Sequence, residues 1–104
     1  MLDVNLGLNY VSNIESIYLK LLNLFLNNYQ KYYNNIRNLY NNDNFKIDMH
    51  SLKGISLNMG CKYLNELLNE LEKKHSKEII NKLSNEFDIV YEEISNYLNN
   101  SGKI

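Results

Sequence analysis

Three residues near the middle of the chain have the types and spacing for chemistry on a helix surface. Lys53 and Gly54 follow His50 by three and four residues, so on a helix all three share one face. The histidine supplies a titratable nucleophile, the lysine a fixed positive charge, and the glycine a gap between side chains. Glycine inside a helix costs about 1 kcal/mol relative to alanine, which indicates that another molecule approaches this face closely. A phosphoryl group carried on another protein fits all three features.

The length and composition predict one small domain spanning residues 1–104, with a single core. A formal net charge of −1 gives no reason to expect nucleic acid or an anionic membrane as a partner. The chain has no basic leader followed by an apolar stretch, and no apolar run close to the ~20 residues of a membrane span. The single Cys61 cannot form an internal disulfide. We therefore expect a monomer in a reducing cytoplasm.

The spacing of the apolar residues predicts an all-α fold, because strand-type alternation is absent and proline, which would interrupt helices, does not occur. The first long helix is predicted to begin at a capping box of Ser12 and Glu15 and to extend to Tyr40. A turn and cap cluster at Asn41 to Asn44 separates it from a second helix, which carries His50 and stops near Gly60. The third and fourth helices are predicted over Leu64 to Lys73 and over Ile79 to Leu98. Residues 3–11 predict a short N-terminal capping helix. We expect the four longer helices to form an antiparallel up-down four-helix bundle.

A rotation of about 100° per residue separates the faces of the helix that carries His50. Phe45, Leu52, Ile55 and Met59 fall opposite the histidine, with Met49 at their flank, and this set predicts the buried stripe. The side of His50 carries Lys46, Ile47, Lys53, Gly54 and Leu57. Two apolar residues beside an exposed histidine and a glycine gap favour a docking patch. We therefore expect Lys46, Ile47, Gly54 and Leu57 to contact a protein partner.

The segment His50-Ser51-Leu52-Lys53-Gly54, followed by Asn58-Met59-Gly60, resembles the signature of histidine phosphotransfer (HPt) domains of multistep phosphorelays. Downstream, the family pattern is also followed by Leu64, Leu67, Leu68 and Leu71-Glu72. Upstream, it is followed more loosely by Gly7-Leu8, Tyr18, Leu21, Leu22 and Phe25. The sequence departs from that pattern at three packing positions. Ile55 replaces a small residue, and Met49 and Cys61 stand where alanine is common.

The resemblance implies a helical bundle whose exposed histidine accepts a phosphoryl group from a response-regulator receiver domain and returns it or passes it on. By this match His50 is the phosphorylated nucleophile, Lys53 helps to hold the phosphoryl oxygens, and Gly54 admits the active site of the receiver. The expected partners are receiver domains and a hybrid sensor histidine kinase.

The sequence predicts a phosphocarrier and not an enzyme that phosphorylates itself from ATP. It contains no glycine-rich phosphate-binding loop and has no room for a separate ATP-binding domain. Phosphoryl transfer depends mostly on positioning and on neutralisation of charge, and Lys53 supplies one cation. Near His50 there is no acidic cluster suited to magnesium, since Asp43 lies two turns away and Asp48 points sideways. We expect no cofactor in this chain, with Mg²⁺ and the reactive aspartate in the partner receiver domain.

Other functions fit the same residues less well. A zinc site is disfavoured because His50 and His75 lack metal-ligand spacing and Cys61 is the only thiol. A non-catalytic helical interaction module that binds a receiver or a kinase is the main alternative, although such a module needs no nucleophile at position 50. The chain could also be the C-terminal domain of a hybrid sensor kinase, which would change its context and not its chemistry.

Overall fold

The computed structural model describes residues 1–37, 43–74 and 76–100, with the side chains of residues 35, 37 and 43–46 outside the description. These residues form five helices and no strand, as the apolar spacing predicts. The helices are α1 (Val4–Tyr10), α2 (Glu15–Arg37), α3 (Asp43–Met59), α4 (Lys62–Lys73) and α5 (Lys77–Asn100). The predicted extension of α2 to Tyr40 and the start of the predicted turn, Asn41 and Asn42, lie outside the described residues.

The start of α2 differs from the capping box predicted at Ser12. Ser12 and Asn13 adopt left-handed backbone conformations, with φ of 57° and 59°, whereas an N-cap residue normally has an extended backbone. The first turn of α2 instead uses the carbonyl of Ile14, which accepts hydrogen bonds from the amides of Ile17 and Tyr18. Ser12 and Asn13 thus form the tight reversal between α1 and α2, and α2 begins at Glu15.

The end of α3 follows the glycine signal in the sequence. Gly60 has a φ of +88°, a conformation that costs glycine little and other residues much more. The amide of Gly60 donates to the carbonyl of Leu57 at 3.0 Å, and the amide of Cys61 donates to the carbonyl of Ser56 at 2.9 Å. This pair of bonds is a Schellman motif, and it leaves a link of two residues, Gly60 and Cys61, between α3 and α4.

The four longer helices contact one another in a closed cycle, α2 with α3, α3 with α4, α4 with α5, and α5 with α2. Each contributes a buried apolar stripe to one core. Between α2 and α5 the rings of Phe25 and Phe87 stack, with their centroids 5.7 Å apart. The fully buried large side chains are Tyr18, Leu22, Phe25, Ile36, Leu52, Met59, Leu64, Leu68, Leu71, Leu83, Phe87 and Ile94.

The short helix α1 packs on α3 and α2 and covers the C-terminal end of α3. The buried hydroxyl of Tyr18 donates to the carbonyl of Met59 at 2.8 Å, and the amide of Asp3 donates to the carbonyl of Gly60 at 3.0 Å. Gly7 lies directly against Met59 and Tyr18, where an added Cβ would overlap the Met59 carbonyl and the tyrosine ring. These contacts fix the end of the helix that carries His50.

We predict that Gly7→Ala destabilises the fold by about 1–3 kcal/mol, the usual cost of overpacking. The added methyl group meets backbone at Met59, which cannot move aside as a flexible side chain would. Urea unfolding followed by circular dichroism measures the change. An equal or greater stability of Gly7→Ala would contradict the close packing of α1 on α3.

Candidate functional site

Helix α3 buries one stripe and presents the opposite face to solvent. Among the side chains of α3 that the structure describes, Met49, Leu52, Ser56 and Met59 are buried, with at most 3% of their surface exposed. They recur at the spacing of a single helix face. His50 is exposed, as the rotation analysis predicts. Within the described residues its ring has no hydrogen-bond or ion-pair partner, so the imidazole is open to attack an incoming group.

The buried stripe is rotated relative to the predicted one, toward Met49 and Ser56. Ile55, expected in the core, is only partly buried, while Ser56 is fully buried. The hydroxyl of Ser56 donates to the carbonyl of Leu52 at 2.7 Å, which satisfies its polar group within the helix. Ser56 therefore acts as a small core residue. Because the buried stripe includes Met49 and Ser56, the position of α3 that lies directly opposite the core is that of Gly54.

The gap at Gly54 is open to solvent. Apart from its two chain neighbours and the adjacent backbone of its own helix, an added Cβ would meet no described atom within 4 Å. This glycine therefore does not serve helix–helix packing. Ile47, on the same side, is 66% exposed, whereas Leu57 is only partly exposed. The side chain of Lys46 lies outside the described residues. The surface formed by His50, Gly54 and Ile47, here called the His50 face, leaves room for a close approach to the imidazole.

Lys53 has a partner on another helix, which the helical spacing of α3 alone does not predict. Its ammonium donates to a carboxylate oxygen of Glu72 on α4 at 2.7 Å, and its side chain is 19% exposed. Its backbone carbonyl accepts a hydrogen bond from the side-chain amide of Asn65, also on α4, at 2.9 Å. The lysine thus lies at the edge of the His50 face, held by α4. Glu72 follows the family pattern in the sequence, but its pairing depends on how α4 packs against α3.

The acidic residues near α3 do not form a metal site among the described residues. Asp48 pairs with Lys31 of α2 at 3.6 Å, and the described part of the chain holds no group of three or more His, Cys, Asp or Glu able to bind a metal ion. His75 lies outside the described residues.

A groove of about 580 Å³ lies elsewhere, between the N-terminal segment and the start of α4, and includes Asp3, Lys62 and Glu66 in its lining. It shares no residue with the His50 face.

The three departures from the family pattern are accommodated by packing. Met49 and Cys61 are buried in the core and Ile55 lies against it. Burial raises the pKa of the Cys61 thiol to about 12, so the thiol stays protonated at neutral pH and is a poor nucleophile. Cys61 is therefore a small core residue and lies outside the chemistry of the site.

Comparison of the chain with protein-family models, with curated proteins and with solved structures gave no match. No helix in the described residues has the length and apolar character needed to cross a membrane. The resemblance to the HPt family therefore stays a prediction from the sequence motif.

We predict that Gly54→Ala raises the free energy of unfolding by about 1 kcal/mol, because alanine is the better helix former and nothing obstructs its methyl group. Gly54→Leu should also be neutral to stabilising, since leucine is nearly as favourable as alanine. Urea unfolding measures both variants beside Gly7→Ala, in which the same added methyl group has no room. A loss of stability in Gly54→Ala would show that the glycine serves the fold.

Proposed function

We propose that this chain is a histidine phosphotransfer domain and acts as a phosphocarrier in a two-component phosphorelay. The proposal rests on the unobstructed Gly54 beside the exposed imidazole of His50, which has no partner among the described residues. A helix retains such a glycine at a cost in stability, and close approach of a partner accounts for it. The motif from His50 to Gly60 supports the same function through its resemblance to the HPt family.

In the proposed reaction, a neutral imidazole nitrogen of His50 attacks the phosphorus of an aspartyl phosphate on a receiver domain. The new N–P bond forms as the O–P bond breaks, and the bonding electron pair leaves on the aspartate carboxylate. The ring N–H proton is released when the phosphoimidazole returns to its neutral form. Because the receiver supplies the aspartate and Mg²⁺, the reaction needs from this chain a positioned nucleophile and the nearby charge of Lys53. The reverse reaction passes the phosphoryl group to the same or another receiver.

We propose that α2 to α5 run antiparallel in up-down order, and that the cytoplasmic monomer receives phosphate from a hybrid sensor kinase through a receiver domain. The closed cycle of helix contacts and the two-residue link between α3 and α4 support this topology. The exposed Ile47 supports docking of a protein on the His50 face.

We predict that a phosphorylated cognate receiver with Mg²⁺ transfers phosphate to this protein, giving an acid-labile and base-stable product. Phosphohistidine has this stability and phosphoserine does not. His50→Gln should abolish the labelling, whereas the matched His75→Gln should leave it intact, and ATP alone should label neither. Undiminished labelling of His50→Gln would rule out the assignment. Binding of the receiver without transfer to the wild-type protein would favour the non-catalytic interaction module.

We predict that Gly54→Leu slows transfer from the receiver at least about tenfold, because a misplaced nucleophile loses much of its positional advantage. The leucine side chain occupies the space through which the receiver reaches the imidazole, although the fold is retained. Lys53→Ala should weaken transfer by removing one charge next to the phosphoryl group, while Lys20→Ala, on the exposed side of α2, should not. Rapid-quench measurement of the transfer rate tests all three. Wild-type rates for Gly54→Leu would refute docking on this face.

A further inference from the structure

Helix α4 holds Lys53 at both ends of the residue. The amide of Asn65 binds the backbone carbonyl at 2.9 Å, and the carboxylate of Glu72 binds the ammonium at 2.7 Å. Asn69 lies between them on the same face of α4, and its amide donates to the side-chain oxygen of Asn65 at 3.2 Å. This polar edge of α4 runs beside its buried leucines, so the packing of α4 on α3 also aligns the edge with Lys53.

The pairing restricts a side chain that would otherwise sample many conformations. An exposed lysine loses considerable rotamer freedom whenever it is ordered, but the Lys53 side chain is already only 19% exposed and bonded at its tip. An ammonium has three donors, so Lys53 can keep Glu72 and still donate to a phosphoryl oxygen. The lysine is therefore oriented before any phosphoryl group arrives.

The same contact also reduces the attraction of Lys53 for a phosphoryl group. A phosphorylated side chain carries a charge of about −1.5 to −2 at neutral pH, and the Lys53 ammonium would attract it. The carboxylate of Glu72 lies against that ammonium and partly neutralises its charge. From this geometry we propose that Glu72 is a positioning residue and counter-charge, which acts through Lys53 to keep the phosphoryl group on His50 transferable instead of tightly held. This inference rests on the proposed function, since it assumes that His50 carries the phosphoryl group.

Chemical loading of the histidine tests the inference without a receiver. In phosphoramidate the N–P bond breaks with its electron pair onto nitrogen, while the imidazole lone pair forms the new N–P bond. The ring N–H proton passes to the departing ammonia, which leaves as ammonium. In a His75→Gln background His50 is the only histidine, so the label reports on one site. After removal of the reagent, the lifetime of the phosphohistidine is followed by ³¹P NMR.

We expect Glu72→Gln to lengthen that lifetime by about two- to fivefold, the range that corresponds to a partly exposed ion pair. The N–P bond hydrolyses after protonation of the imidazole. Without the carboxylate of Glu72, the positive charge of Lys53 is no longer balanced and disfavours that protonation. Glu70→Gln is the matched control. It removes the same charge from an exposed position of the same helix, where the carboxylate has no ion-pair partner among the described residues. Its lifetime should equal that of the unaltered background.

A double-variant cycle separates action through Lys53 from a direct or structural effect. Lys53→Ala should shorten the lifetime, and adding Glu72→Gln to Lys53→Ala should change it no further. Equal lifetimes of Glu72→Gln and Glu70→Gln would overturn the inference, as would an effect of Glu72→Gln that persists without Lys53. Chemical loading that succeeds while the receiver fails to transfer would instead count against the proposed function, so the two failures are distinguishable. Failure of phosphoramidate to load His50 would count against both.

Discussion

Burial of one apolar stripe on α3 determines which side chains of this helix face solvent. Met49, Leu52 and Met59 are removed from water against α1, α2 and α4, and burial of each such side chain stabilises the fold by about 1.5–3 kcal/mol. Because this face is buried, the helix cannot rotate about its own axis without exposing apolar side chains. The residues on its opposite face are therefore fixed toward solvent. His50 and Gly54 are on that face, and α1 and the Schellman motif at Gly60 hold the end of the helix in place.

The chemistry proposed for this face requires little from the chain beyond geometry. The nucleophile is exposed and the approach beside it is open, while the neighbouring cation is held by a different helix. This division explains how a small helical domain could take part in group transfer, provided that the partner brings the metal and the acyl phosphate. The contact between Lys53 and Glu72 then couples the charge at the site to the packing of α4 against α3.

Much of this arrangement follows from the sequence, because a helix repeats regularly and its buried face can be read from its apolar residues. The exposure of His50 was predictable in this way, and the end of α3 was predictable from the glycine at position 60. The left-handed turn at Ser12 was not, since its sequence also matches a capping box and only the packing of α1 decides between them. The ion pair of Lys53 with Glu72 joins residues 19 positions apart, and it depends on the rotation of α4, which no local pattern specifies.

Imidazole NMR can detect the transfer of a phosphoryl group from a receiver to His50 at the atom that accepts it. Long-range ¹H–¹⁵N spectra resolve the ring nitrogens of His50 and His75 separately and are recorded before and after addition of a phosphorylated receiver with Mg²⁺. We predict that one ring nitrogen of His50 shifts and couples to phosphorus while the signals of His75 stay unchanged. Loss of the phosphate from the receiver to water, with both imidazole spectra unaltered, would show that His50 is not the acceptor.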